Sequence, residues 1–149
     1  MAVMGIPKFE RFFREAAGID VDKSDLKRYS DFVNEELYDM LLIAQATAKA
    51  NNRDVIERWD LPVTKGLQES VHNFRRMDQD IELQPILDEI AARPQLDVTL
   101  SDETTGHLPE IAGGVSVALA RSFKLVDTRL QNPSSGHWER AFQLFRLLM

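Results

Sequence analysis

Apolar side chains in this chain recur at helical spacing in a short, long, short order, and the order then repeats. After Pro7, a good first-turn residue, Phe9, Phe12, Phe13, Ala16 and Ala17 follow the i, i+3, i+4, i+7, i+8 pattern until Gly18 stops the run. A loop over residues 19–22 leads to the cap candidates Ser24 and Asp25. From there Leu26, Tyr29, Val33, Leu37, Met40, Leu41, Ala44 and Ala48 keep helical spacing as far as Asn51. Such a helix is a rod about 40 Å long. Asn51 and Asn52 break it, Val55 and Ile56 look extended, and Asp60, Leu61 and Pro62 read as the cap and first turn of a third helix reaching about Arg76.

The second half restarts the same arrangement. Leu83, Ile86, Leu87, Ile90 and Ala91 each lie 74 residues after Phe9, Phe12, Phe13, Ala16 and Ala17, and the same offset carries Leu26, Leu37, Leu41 and Ala44 onto Leu100, Ile111, Val115 and Ala118. This register predicts an internal duplication with units at residues 1–77 and 78–149. The second long helix is expected to end near Gln131, with Pro109 either starting or kinking it. Residues 132–136 form a loop, and a last helix carries Trp138, Ala141, Phe142, Phe145 and Leu148 on one face. Trp59 and Trp138 read as core or contact aromatics. Gly113 and Gly114 read as a place where the second long helix approaches a neighbour closely.

A unit of about 70 residues with one long rod and two short helices has no compact core of its own. Crossing the two long helices buries both apolar stripes, and the short helices then cover the ends. The fold expected is therefore all-α, with the halves packed together as one compact domain.

Several classes are excluded by composition. The 149 residues hold no cysteine, which removes disulfides and thiolate metal sites and suggests a reducing compartment. With 18 Lys+Arg against 24 Asp+Glu the net charge is -6, so nucleic-acid contact has to be a local patch. Twelve basic and thirteen acidic residues fall in 1–77, and six and eleven in 78–149, which puts that patch in the first half. The nearly unbroken apolar stretch at 111–120 is far short of the roughly 20 residues that span a bilayer, and the start has no basic run before an apolar segment. These features predict a soluble cytoplasmic chain without a membrane partner, localised to the nucleoid if bound to DNA.

The stretch from Ala46 to Leu61, ATAKANNRDVIERWDL, is similar to the end of the middle helix, the second loop and the third-helix start of archaeal histones. The whole chain resembles a small bacterial family of single-chain double histone folds. The resemblance implies tandem histone folds packed as an intramolecular pseudo-dimer. It also implies that the loop arginine, Arg53, pairs with the aspartate seven residues later, Asp60, as a structural clamp. One departure bears on function. DNA-wrapping histones typically follow the loop arginine with a basic or small polar residue facing phosphate, whereas Asp54 and Val55 stand here. The second half shows no clear arginine and aspartate pair near Asp127, Thr128 and Arg129.

The remaining cations define the candidate site. Lys8, Arg11 and Arg14 recur along the first helix away from its phenylalanines, Lys23, Lys27 and Arg28 follow at the next loop, and Arg75 and Arg76 add a third group. Two readings stand: a solvated face interleaved with Glu10, Glu15, Asp22 and Asp25, or a phosphate-contacting edge of Lys8, Arg11, Arg14 and Lys23, with Arg53 a lesser contact. His72, His107 and His137 lie in separate segments without a ligand motif, and Asp31, Glu35 and Asp39 read as an exposed acidic face. No catalytic, metal or cofactor site is expected. The function expected is weak, sequence-independent contact with double-stranded DNA. The alternative is a protein-interaction scaffold, with a protein partner or self-association through the third helices and no DNA.

Overall fold

The computed structural model describes residues 4–148 and contains six helices and one two-stranded sheet. Helix α1 (Ile6–Ala17) ends at Gly18, whose φ of 64° is the left-handed conformation; the Gly18 N–H donates to the Arg14 carbonyl and the Ile19 N–H to the Phe13 carbonyl. A single 3-10 turn (Lys23–Asp25), capped at Asp22, leads into α2 (Leu26–Ala50). After β1 (Val55–Ile56) and a second 3-10 turn (Arg58–Asp60) comes α3 (Lys65–Arg76).

The third helix thus starts later than Asp60, Leu61 and Pro62 suggest. Leu61 precedes a proline, and the proline ring disfavours helical geometry at the residue before it; Leu61 is extended, at φ -65° and ψ 132°. The true cap is Thr64, whose side chain accepts the Leu67 N–H.

The second half runs α4 (Leu83–Ala91), β2 (Thr99–Leu100), α5 (Asp102–Val126) and α6 (Ser135–Leu148). Helix α5 starts at Asp102, capped by the Ser101 side chain on the Thr104 N–H, so Pro109 lies inside it rather than at its start. It ends at Val126, five residues before Gln131, where Asp127 turns extended. Each long helix has 25 residues, roughly 37 Å of rod at 1.5 Å per residue.

One buried cluster draws on both halves. Trp138 of α6 is fully buried against Phe9 and Phe13 of α1 and Phe123 of α5, while Phe32 of α2 stacks on Phe142. Between the long helices, Tyr29 donates to Ser116 Oγ at 2.6 Å, and that hydroxyl donates in turn to the Ala112 carbonyl. Two side chains lie outside the core: Trp59 is 72% exposed, which leaves only the contact reading for it, and Leu148 is exposed on the last turn of α6. Trp59 sits in the short 3-10 turn, which packs too little surface to cover an indole.

Helix α3 lies tight on α5. A Cβ placed at Gly113 would stand 2.4 Å from the Phe74 ring, and one at Gly114 would stand 2.5 Å from Val71 Cγ2 and 3.0 Å from the Val71 backbone nitrogen. The glycine pair therefore does set a close helix approach. Gly113→Ala and Gly114→Ala are each expected to destabilise the fold by about 1–3 kcal/mol through overpacking, measured as a fall in urea midpoint at unchanged m-value.

The halves also exchange loops at both ends of the long helices. At one end β1 pairs in parallel with β2, Val55 opposite Thr99 and Ile56 opposite Leu100. The Thr99 and Ser101 N–H groups donate to the carbonyls of Asp54 and Ile56, and Thr104 Oγ1 adds a third bond to Ile56. At the other end the loop after α1 meets the loop after α5 through the Asp20 N–H, which donates to the Gln131 carbonyl at 2.7 Å. In both places the segment before one long helix meets the segment after the other.

Candidate macromolecule-binding surface

The two loop-paired ends differ in charge. At the β1–β2 end, Arg53 is held by Asp60: Nη1 and Nη2 donate to the two carboxylate oxygens at 2.6 and 2.7 Å, and Nη1 also reaches the Val55 carbonyl. The Asp60 side chain is wholly buried, accepts the Glu57 N–H at 2.8 Å, and has its carboxyl held below the usual range chiefly by the Arg53 guanidinium. Arg53 thus braces the turn between α2 and α3. Around it stand exposed Asp54 and Asp102 and the exposed ion pairs Lys49–Asp97 and Arg58–Glu103, so the acidic groups outnumber the basic ones.

The five candidate cations do not form one surface. Arg53 and Lys23 flank opposite ends of α2, roughly 37 Å apart by the helix rise. On α1, Lys8 bonds Asp80 of the α3–α4 connection at 2.8 Å and Arg14 bonds Asp20 at 3.2 Å. Arg11 and Lys23 are exposed and have no ion-pair partner among the described residues. Of the neighbouring cations, Lys27 is tied to Asp31, Arg28 stands 3.5 Å from Asp25, and Arg75 makes a two-pronged pair with Glu110.

Folding adds a cation that the sequence pattern did not single out. The contact between Asp20 and Gln131 brings exposed Arg129, also without an ion-pair partner among the described residues, to the end that carries Arg14 and Lys23. Carboxylates are present there too and are hydrogen-bonded to the backbone: Asp22 accepts the Ser24 N–H, Asp25 the Asp22 N–H, and Asp127 the Arg129 N–H. No spacing rule links Arg129 to Lys23, because a long-range loop contact joins them.

Glu36 is a second residue missed by pattern reading. Asp31, Glu35 and Asp39 are exposed as expected, but Glu36 faces inward and only 8% of its surface is exposed. Its place in the register of Val33, Leu37 and Met40 was the available signal.

The histidines remain apart. His107 Nδ1 donates to the Glu110 carboxylate at 3.0 Å, and burial, then Arg58, push its pKa down. Among the described residues no group of three or more His, Cys, Asp and Glu side chains could hold a metal ion, and no helix is long and apolar enough to cross a membrane.

Two helical units sharing one core through exchanged loops define the class of protein. The chain belongs to the DUF1931 family, a domain of unknown function, which matches residues 9–146. An uncharacterised Aquifex aeolicus protein is 27% identical over 111 residues, covering 74% of this chain and 65% of that one, so the chain spans just under two thirds of that relative. A second uncharacterised protein of the same organism is 26% identical over 137 residues, covering 83% and 80%. A crystal structure from Thermus thermophilus has a TM-score of 0.95 at 51% identity, covering 99% of both chains. A 1.9 Å structure from Aquifex aeolicus shares the fold at a TM-score of 0.81 and 24% identity, covering 99% of this chain and 97% of that one.

Proposed function

We propose that this chain is a single-chain counterpart of a histone-fold dimer, with units at 1–77 and 78–149, that acts by binding a macromolecule and carries no catalytic role. Supporting the fold reading are the loop exchange at both ends of the crossed long helices and the Arg53–Asp60 pair at its seven-residue spacing. The partner is double-stranded DNA, held weakly and without sequence preference in the cytoplasm. The observation that carries this reading is that Arg11, Lys23 and Arg129 are exposed without an ion-pair partner among the described residues, and that the ion pairs of Lys8 and Arg14 are exposed and easily exchanged for phosphate.

Fluorescence anisotropy of a labelled duplex, titrated at several salt concentrations, tests this. Two to four phosphate contacts predict a slope of log affinity on log salt of about -2 to -4. Joint conversion of Lys8, Arg11 and Arg14 to glutamate is expected to abolish binding, and Lys23→Glu with Arg129→Glu to weaken it. No binding at low salt, where screening is least, removes DNA as the partner. A scaffold role in protein interaction then stands, and one observation favours it: exposed Leu125, Leu144 and Leu148 cluster where α3, α5 and α6 meet.

A further inference from the structure

Glu36 lines a cavity of ≈ 290 Å³ between α2, the segment before α3 and the end of α6. Its walls are largely apolar, from Met40, Ile43, Pro62 and Leu148, and its charged groups are Glu36, Asp39 and Arg146. No hydrogen-bond or ion-pair partner engages the Glu36 carboxylate among the described residues. Arg146, the cation on the far wall, is within electrostatic range of Glu36 but stands 3.8 Å from Glu139. A largely buried carboxylate without a partner is costly, and here a second carboxylate, Asp39, stands one turn along the helix and also lines the cavity. Arg146 is the one cation lining the cavity among the described residues and makes no ion pair with Glu36, and the walls offer apolar surface along which a short aliphatic chain can lie.

We propose that this cavity binds a primary ammonium group on a short alkyl chain, with Glu36 as its charge partner, Asp39 as a second acceptor at the rim, and Met40, Ile43 and Leu148 around the methylenes. The site is independent of the DNA reading. A free alkylamine and a lysine side chain share this chemistry.

The Glu36 carboxyl is pushed up to about 6, first by burial, then by Asp39 and Glu35, with Arg146 opposing; the segment before α3 contributes only the non-titrating Pro62 and Thr64. Binding is thus expected to strengthen as pH rises through about 6 and Glu36 ionises. Backbone amide shifts of the full chain are followed by NMR during titration with pentylamine hydrochloride, and in parallel with Nα-acetyl-lysine amide. The expected result is saturable shifts over α2 around Glu36 and over the last turn of α6, with affinity at least tenfold lower in Glu36→Gln and several-fold lower in Asp39→Asn. Glu36→Gln removes a buried charge and is expected to keep its helical circular dichroism, and Asp39 is exposed. Binding of both probes supports a site open to a lysine side chain, and binding of pentylamine alone supports a site for free amines. No shifts with either probe, or shifts undiminished in Glu36→Gln, overturn the proposal.

Discussion

Residues 1–77 expressed without the second half are expected to be unfolded or to self-associate, seen as lost helicity by circular dichroism or as an oligomer by light scattering. The first half's most buried rings, Phe9, Phe13 and Tyr29, pack against Trp138 and Ser116, which belong to the second half. Val71 and Phe74 would lose the glycine face of α5, and β1 would lose its only strand partner among the described residues. Burying a large apolar side chain contributes about 1.5–3 kcal/mol. Exposing even five of these therefore removes as much free energy as a typical domain's entire stability, about 5–15 kcal/mol. A cooperative, monomeric melt of residues 1–77 would refute the shared core.

Arg53→Ala is expected to cost about 1–3 kcal/mol, the range for leaving a buried acceptor without its partner. The charge left behind is the Asp60 carboxylate, which is wholly buried and would keep only the Glu57 N–H as a partner. Asp60→Ala is expected to cost less, because Arg53 keeps 30% of its side chain exposed and can turn to water. Arg53→Lys falls between, since an ammonium cannot make the two-pronged contact. The pair also fixes an acid limb. Asp60 has its pKa depressed in the fold, so its stabilisation is present above the ordinary carboxylate value of 3.8 and is lost as pH falls through the lower folded value. Urea melts of wild type and Arg53→Ala from pH 7 down to pH 3 measure both effects. A variant within 1 kcal/mol of wild type at pH 7 would show that the pair does not brace the loop.

Which helices form was legible in the chain, because amphipathic periodicity and local breakers act over a few residues. Phe9 to Ala17, Tyr29 to Ala48 and Trp138 to Phe145 take the elements and buried faces that their spacing dictates, and Gly18 stops α1 through its own backbone geometry. The glycine pair likewise announced a close approach, although not that Val71 and Phe74 would meet it. The Arg53–Asp60 bond was legible through the resemblance and the seven-residue spacing, since both partners sit in one short turn.

Boundaries and surroundings were decided elsewhere. Helix α3 waits for Thr64 because Pro62 constrains Leu61, and α5 stops at Val126, where Asp127 turns extended ahead of the Gln131 contact with the other half's loop. The pairing of β1 with β2 joins residues 44 apart in sequence, Val55 and Thr99, so no local pattern encodes it. The same reason separates the two residues that pattern reading missed. Arg129 reaches Lys23's end only through the Asp20 contact, and Glu36 becomes a buried carboxylate only when α6 closes over α2. Periodicity, capping and short-range pairs are written in the order of residues, since their energies depend on neighbours within about a turn. The charge of each end and the cavity at Glu36 arise only on folding, because solvation and electrostatics depend on every group brought nearby, however distant along the chain.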